Sequence, residues 1–298
     1  MLASRRPSRL VTYLSLTLLV LIWGTTWAVI RVGLRAIPPY AGVALRFGIA
    51  ALVLLALTPV FKVRLGRTPV ERWLWLANAA FTFCLAYGVL YWAEQWVPSG
   101  LAAVLFATFP LIVALLALFF LPGERLTPIG SEGILVGFAG VAVIFSEDFA
   151  RRGGSQVGKA AAICLLAPLA AACGGVLGKR WGKDVHPLSI SAVPMAITAM
   201  VMGGVSGLVE RGHPLVFDRP AVLALLYLSL IGSAISFTLY FWLLLHLPAT
   251  TLSLINYVTP VVAVTVGTLW LAEPLTARIL AGTALVIAGV ALALRARR

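Results

Sequence analysis

Apolar runs long enough to cross a lipid bilayer follow one another along most of the chain. They span roughly 17 to 25 residues each, the length that crosses a bilayer as a helix, and short clusters of charged residues separate them. Only 11% of the 298 residues are charged and 61% are hydrophobic, whereas about 25% charged residues is usual in soluble domains. A single soluble core cannot bury this much apolar surface, so lipid must be part of the solvent.

Ten such runs can be marked, and backbone groups inside lipid can be satisfied only within helices or closed barrels. The sequence therefore predicts an all-α polytopic membrane protein with ten transmembrane helices. The runs lie near 11–31, 40–61, 72–92, 97–121, 128–146, 158–179, 187–208, 220–243, 248–271 and 276–294. The first run follows a basic start, but its length of about 21 residues exceeds the 7–15-residue core of a cleaved signal peptide, so we expect it to be retained.

Basic residues predict the orientation of these helices. Lys and Arg are more frequent in the segments on the N-terminal side of the membrane, such as 62–72 and 179–183, than in the segments on the other side. This asymmetry predicts that both termini are cytoplasmic, in a multi-pass protein of the cell (bacterial inner) membrane. The net charge of +13 does not indicate nucleic-acid binding, because the basic residues flank apolar runs instead of forming a stripe.

The chain repeats itself about 150 residues further on. AVLFATFPLI at 103–112 corresponds to SLINYVTPVV at 253–262, with Pro110 and Pro260 at the same place. Further matches at offsets of 150 or 149 are Trp92 with Trp242, Pro98 with Pro248, Glu124 with Glu273, Gly133 with Gly282 and Gly140 with Gly289. We therefore expect a first five-helix repeat over 1–150 and a second over 151–298. Because five is odd, the second copy enters the membrane from the opposite side, and solute sites lie between such inverted repeats.

These residues resemble the EamA-type drug/metabolite transporter family. The resemblance rests on WG at 23–24, on RF at 46–47, and on VPSGLAAVLFATFPLI recurring as LPATTLSLINYVTPVV. It covers nearly the whole chain and is weak only where GGVLGKR at 174–180 should repeat WGTTWAVIR. The resemblance implies a ten-helix carrier of small metabolites, often an exporter. The aromatic interior is similar to that of the amino-acid exporter branch, which includes exporters of aromatic amino acids.

The two matched prolines predict breaks near the bilayer centre. Each lies about 12 residues beyond the proline that opens its run, which is roughly 18 Å along a helix. A proline removes a helix hydrogen bond, so Pro110 and Pro260 are predicted hinges or sites where free carbonyls line a cavity. The alternative is that prolines are simply more frequent in membrane helices than in soluble ones.

Aromatic and polar residues inside the runs form the predicted substrate-binding set. One helical face carries Ser253, Asn256, Tyr257 and Pro260. Aromatic rings suit a flat apolar or weakly cationic solute. The predicted set is Trp23, Thr26, Trp27, Tyr87, Tyr91, Tyr240, Asn256 and Tyr257. The alternatives are an aromatic-rich bundle core and, for Asn256, a hydrogen bond between helices.

Arg46 is the one Lys or Arg clearly within a predicted span, and such groups usually face the interior. It could hold a substrate carboxylate, pair with Glu94 as a structural clamp, or extend to the interface. Glu94, Glu124, Glu132 and Glu273 are all predicted at span ends or in turns. With no carboxylate predicted in the membrane centre, the sequence favours facilitated diffusion or exchange over proton coupling.

Rival functions lack their sequence signatures. There is no HExxH or GxSxG motif, the three histidines lie in loops or at span ends, and no filter motif indicates a channel. Cys84, Cys164 and Cys173 fall within apolar runs without a CxxC pair, so neither a metal nor another cofactor is predicted. We expect a transporter, not an enzyme, whose partners are a small-molecule substrate and the lipid bilayer. An exporter of drugs or of other metabolites is the alternative within the same family.

Overall fold

Every regular element in the described part of the chain is a helix. The computed structural model describes residues 7–121, 127–152, 155–271 and 276–295. Its α-helices and two π-helical segments are α1 (Arg9–Gly33), α2 (Pro39–Val60), α3 (Pro69–Ala77), π1 (Asn78–Leu85), α4 (Ala86–Ala93), α5 (Ser99–Phe106), α6 (Phe109–Phe120), α7 (Pro128–Arg152), α8 (Ser155–Cys164), α9 (Leu166–Trp181), α10 (Pro187–Val209), α11 (Arg219–Ser229), π2 (Leu230–Ile235), α12 (Ser236–His246), α13 (Ala249–Ser253), α14 (Ile255–Leu271) and α15 (Ala277–Arg295).

Polar caps and prolines explain where several helices begin. Ser8, Thr68 and Asp218 each accept a hydrogen bond from a backbone N–H of the following first turn. Pro69 then stands in the first turn of α3, a position where the missing N–H costs nothing. These local signals place the helix starts close to the edges of the apolar runs.

Several helices are long and apolar enough to cross a membrane, as expected of a multi-pass membrane protein. In the described ranges, seven continuous helical segments meet this criterion: Arg9–Gly33, Pro39–Val60, Pro69–Ala93, Gln156–Trp181, Pro187–Val209, Arg219–His246 and Ala249–Trp270. The other three predicted runs coincide with the α5–α6 pair, α7 and α15. Within them, Phe109–Phe120 and Leu280–Gly289 are shorter apolar helices.

Two π-helical segments interrupt long helices at matching places. The π1 segment, Asn78–Leu85, and the π2 segment, Leu230–Ile235, end 150 residues apart. In π1, the Asn78 amide donates to the Leu74 carbonyl, and the Thr82 hydroxyl donates to Asn78 Oδ1. Such segments are rare and frequently border functional sites.

Helix pairing follows the repeat. The two largest interfaces join α7 with α15 and α2 with α10. The α1–α14 interface is the next, and α9 packs equally against α6 and π1. When each helix is replaced by its counterpart in the other repeat, the α7–α15 and α2–α10 interfaces stay the same. The α1–α14 interface becomes the α6–α9 interface, and the reverse. This is the exchange expected of two copies related by a two-fold axis.

Matched glycines allow α7 and α15 to approach closely. A methyl group on Gly140 would lie 2.6 Å from the Gly282 carbonyl oxygen, and one on Gly289 would lie 2.5 Å from that of Gly133. Because 133 + 149 = 282 and 140 + 149 = 289, the two contacts are the same contact seen from each repeat. The interface leaves no space for a side chain, which explains the recurrence of glycine.

The matched prolines do not occupy equivalent places in their helices. Pro110 stands in the first turn of α6, just after a break at Ala107–Thr108. Pro260 lies inside α14, and the break in that segment comes earlier, at Leu254. The two prolines are therefore equivalent in sequence position but not in local geometry. A proline in the first turn of a helix, such as Pro110, removes no helix hydrogen bond. Glu124 and Glu273 lie outside the described residues.

Candidate solute-binding site

A partly enclosed cavity lies among helices from both halves of the chain. Its lining residues come from α1, the π1–α4 segment, the α5–α6 segment, α9, α12 and α14: Trp23, Thr26, Trp27, Ile30, Thr82, Ala86, Tyr87, Leu90, Phe106, Phe109, Ala171, Gly175, Phe237, Tyr240, Asn256 and Thr259. About 60 Å³ is accessible to the centres of water-sized molecules, so the cavity has room for bound water.

Aromatic side chains form much of the cavity wall. The Trp23 ring lies 5.5 Å from the Phe237 ring and 5.4 Å from the Tyr240 ring. The Trp27 ring meets the Phe106 ring edge-on at 5.6 Å. These separations lie in the favourable range for aromatic pairs, so the wall is mutually supported and suits a flat apolar solute.

Two hydrogen-bond donors in this wall have no partner. The indole Nε1 atoms of Trp23 and Trp27 are buried and unpaired among the described residues. The hydroxyls of Thr26 and Thr259 are satisfied, donating to the Trp23 and Asn256 carbonyls at 2.7 and 3.3 Å. Buried donors without partners are costly, so a bound acceptor group or water would stabilise both indoles.

Pro260 adds an acceptor to the same wall. It has no N–H to donate to the Asn256 carbonyl four residues earlier, and the Thr259 hydroxyl donates to that carbonyl instead. The Asn256 amide donates to the Ser253 carbonyl at 3.2 Å. The Thr259 hydroxyl thus compensates for the proline, whereas the Asn256 amide serves a carbonyl left free by the break at Leu254.

Arg46 lies behind the cavity wall, 1% exposed. Its guanidinium donates to Ser233 Oγ at 2.7 Å, to the Gly232 carbonyl at 2.9 Å and to Tyr91 Oη at 3.2 Å. It also lies 4.8 Å from the centre of the Tyr87 ring, which lines the cavity. Arg46 therefore neither extends to the interface nor makes its hydrogen bonds to Glu94, two of the roles predicted for it.

Six of the eight predicted binding residues line the cavity, and two do not. Tyr91 holds Arg46 instead. Tyr257 is fully buried against α7, where its hydroxyl donates to the Ile134 carbonyl at 3.1 Å and its ring covers Gly137. One residue beyond Asn256 is a rotation of about 100° around the helix, which turns Tyr257 away from the cavity.

Other lining residues were not predicted, and the repeat offset connects several of them to predicted residues or to each other. Tyr87 corresponds to Phe237, and Phe106 and Phe109 correspond to Asn256 and Thr259, at an offset of 150. At an offset of 148, Trp23 and Trp27 correspond to Ala171 and Gly175, which also line the cavity. A methyl group on Gly175 would lie 3.0 Å from Tyr240 Oη, so the small residue at this position leaves room for the Tyr240 side chain.

Two basic side chains join helices near the ends of the cavity. Arg31, in the last turn of α1, donates to the carbonyls of Glu94 and Val97 at 3.1 and 2.9 Å. Lys179, in the last turn of α9, donates to the carbonyls of Leu244 and Leu247 at 2.7 Å each. We call these contacts the Arg31 bridge and the Lys179 bridge. Since 94 + 150 = 244 and 97 + 150 = 247, they use corresponding carbonyls in the two repeats.

Metal binding has no support in the described residues. They contain no group of three or more His, Cys, Asp or Glu side chains that could hold a metal ion. Cys84, Cys164 and Cys173 are free thiols. The chemistry available at the cavity is therefore aromatic contact, hydrogen bonding and the charge of Arg46.

Comparisons with known proteins agree with this architecture. The model of the EamA-like transporter family matches the chain twice, over residues 10–146 and 158–295. The uncharacterized transporter YvbV of Bacillus subtilis (strain 168) is 27% identical over 285 residues, covering 94% of this chain and 90% of YvbV. The uncharacterized inner membrane transporter YedA of Escherichia coli (strain K12) is 31% identical over 257 residues, covering 84% of this chain and 79% of YedA. A protein of known crystal structure shares the fold with a TM-score of 0.80 at 24% identity, covering 98% of this chain and 100% of that one.

Proposed function

Since the chain belongs to the EamA-like transporter family, we propose that it is a secondary transporter that moves small organic metabolites across the cell membrane by alternating access. We infer that its solutes are aromatic or large neutral amino acids, or related compounds, exported from the cytoplasm. The observation that carries the proposal is the aromatic cavity with two indole donors that have no partner among the described residues.

The cavity chemistry supports a solute with a flat apolar body and a hydrogen-bond acceptor. The aromatic wall would contact the apolar body, and the Trp23 and Trp27 indoles would donate to the acceptor. An amino acid with a large side chain has both parts, with its carboxylate as the acceptor. Trp23, Thr26, Trp27, Tyr87, Tyr240 and Asn256 are the proposed contacts.

The position of Arg46 favours this solute over a cationic drug. A solute charge on the far face of the Tyr87 ring would lie roughly 9 Å from the guanidinium, where the interaction is about 2 kcal/mol at an effective dielectric constant of about 20. A carboxylate there is attracted and a cation is repelled by that amount. An exporter of other drugs or metabolites is the alternative, and the aromatic walls favour it for neutral apolar compounds.

We propose that the ten helical runs form two inverted five-helix repeats, 1–150 and 151–298, with both termini cytoplasmic. The exchange of helix interfaces, the reciprocal glycine contacts and the two family matches support this arrangement. Inverted repeats hold the solute near the membrane centre and open to one side at a time. The Arg31 and Lys179 bridges would then close opposite ends, and opening either end requires breaking one bridge.

Counterflow in proteoliposomes tests the proposed function. Vesicles loaded with unlabelled L-tryptophan, L-phenylalanine or L-leucine should transiently concentrate the labelled form of the same amino acid, which neither a channel nor an enzyme would do. Trp27→Ala and Asn256→Ala should weaken this counterflow while the protein stays folded. Trp270→Ala is the matched control, because Trp270 is 60% exposed on the outer surface. Absence of counterflow for all three amino acids would overturn the amino-acid proposal.

A further inference from the structure

Glu94 presents a buried carboxyl that accepts no hydrogen bond from the part of the chain that the structure describes. It follows the last residue of α4, its side chain is 1% exposed, and neither carboxyl oxygen has a partner among the described residues. Burying an ionised carboxylate without hydrogen bonds is costly, and such a group usually becomes neutral instead. The sequence predicted Glu94 at a span end, and the structure encloses it within the bundle at that end.

The hydrogen bonds of the Arg31 bridge do not involve the Glu94 carboxyl. Arg31 donates to the main-chain carbonyls of Glu94 and Val97, not to the Glu94 side chain. In the Lys179 bridge the residue corresponding to Glu94 is Leu244, whose side chain is apolar. The main-chain carbonyl at this position can therefore accept from a basic side chain without a carboxyl on the same residue.

Charged and titratable side chains from several helices lie around the Glu94 carboxyl. The charged and titratable groups that face it are Arg31 from α1, Arg46 from α2, Tyr91 from its own helix and Cys164 from α8. Burial raises the pKa of the Glu94 carboxyl well above its ordinary value, although the Arg31 and Arg46 guanidinium groups oppose the shift. Removing the burial while keeping Arg31 would reverse the balance and favour the carboxylate.

We propose that the Glu94 carboxyl is a proton-binding site that couples protonation to opening of the cavity at the Arg31 bridge. The inference rests on the proposed transport function. With the bridge formed, Glu94 is a neutral acid. When the bridge breaks, water reaches the carboxyl and the proton passes to water on the predicted outer side, leaving a carboxylate beside the released Arg31 guanidinium. Closure takes up one proton from the same side.

This coupling has a defined sign. The closed state binds the proton more tightly than the open state, so falling external pH favours closure and rising pH favours opening. One linked proton changes the ratio of open to closed states by at most about tenfold per pH unit. The sequence favoured transport without proton coupling, because it predicted no carboxylate in the membrane centre. Glu94 lies at a span end, a position to which that argument does not apply.

Infrared spectroscopy of the purified full chain in lipid bilayers tests the proton site directly. The wild-type protein should show a carbonyl-stretch band of a protonated carboxylic acid that persists well above the pH at which an ordinary glutamate ionises, and Glu94→Gln should abolish it. Glu71→Gln is the matched control, because Glu71 is also buried but accepts hydrogen bonds from the Ser189 hydroxyl and the Arg67 backbone N–H. A band that survives in Glu94→Gln, or is absent from the wild type, overturns the proposal.

Thiol labelling tests the coupling to opening. In a background without the native cysteines, Ile30→Cys places a reporter in the cavity wall next to Arg31. Its labelling by a membrane-impermeant reagent from outside should rise with pH, after division by the rate for the exposed control Leu215→Cys. Adding Glu94→Gln should keep the ratio of the two labelling rates low and independent of pH. An unchanged pH dependence overturns the proposal. Neither measurement needs a transported solute, so its failure is distinct from failure of amino-acid counterflow.

Discussion

Removing the Arg31 bridge should open the cavity to one side of the membrane, and removing the Lys179 bridge should open it to the other side. Each bridge includes two hydrogen bonds from a charged donor to main-chain carbonyls. Hydrogen bonds to charged groups contribute about 1.5–3 kcal/mol each. At the low end of that range, appropriate for side chains that are partly exposed, a bridge contributes about 3 kcal/mol, or roughly a 150-fold change in an opening equilibrium.

The assay measures access to the cavity from each side of the membrane. Phe106→Cys, in a background without the native cysteines, places a thiol in the cavity wall. Arg31→Gln should raise its labelling from outside by roughly 100-fold, and Lys179→Gln should raise labelling from inside by a similar factor. Arg31→Lys and Lys179→Arg retain a donor charge and serve as controls. If both Gln variants increase labelling from the same side, or neither changes it, the bridges do not close opposite ends.

Three further outcomes follow from the structure. Gly140→Val should destabilise the α7–α15 interface by about 1–3 kcal/mol, seen as a lower Tm, whereas Gly204→Val should not do so by crowding, because a methyl group at Gly204 meets nothing within 4 Å. Arg46→Gln should weaken binding of L-tryptophan relative to its carboxamide by about tenfold, consistent with a loss of up to about 2 kcal/mol, measured by competition in counterflow; equal effects on both compounds would contradict the electrostatic argument. Trp27→Ala should reduce affinity for L-phenylalanine more than for L-leucine, because it removes an aromatic wall, and the opposite order would count against ring contact.

Helix positions could be predicted well because charge clusters and prolines mark them. The second run was expected at 40–61 and α2 occupies Pro39–Val60; the seventh was expected at 187–208 and α10 occupies Pro187–Val209. The fifth was expected to stop at 146, but α7 continues to Arg152. Charged residues end an apolar run without ending a helix, so hydropathy limits the membrane-crossing part and not the helix.

The candidate site could be predicted only in part. Its unexpected members are small residues, or residues whose contacts depend on how the helices pack. Ala171 and Gly175 matter through the space they leave, which a search for aromatic and polar side chains does not detect. The contact of Arg31 with two carbonyls depends on distances between helices that the sequence does not encode. Tyr257 and Asn256 are adjacent in sequence, and a single step around the helix separates their roles.

The side of the membrane reached by two corresponding loops tests the inverted repeat most directly. Leu65 and Leu215 are exposed residues in the α2–α3 and α10–α11 connections, which the offset of 150 relates to each other. Cysteines placed there one at a time should react with an impermeant reagent from opposite sides, position 65 from the cytoplasm and position 215 from outside. Labelling of both positions from the same side would show that the two halves are inserted in parallel and would contradict the account.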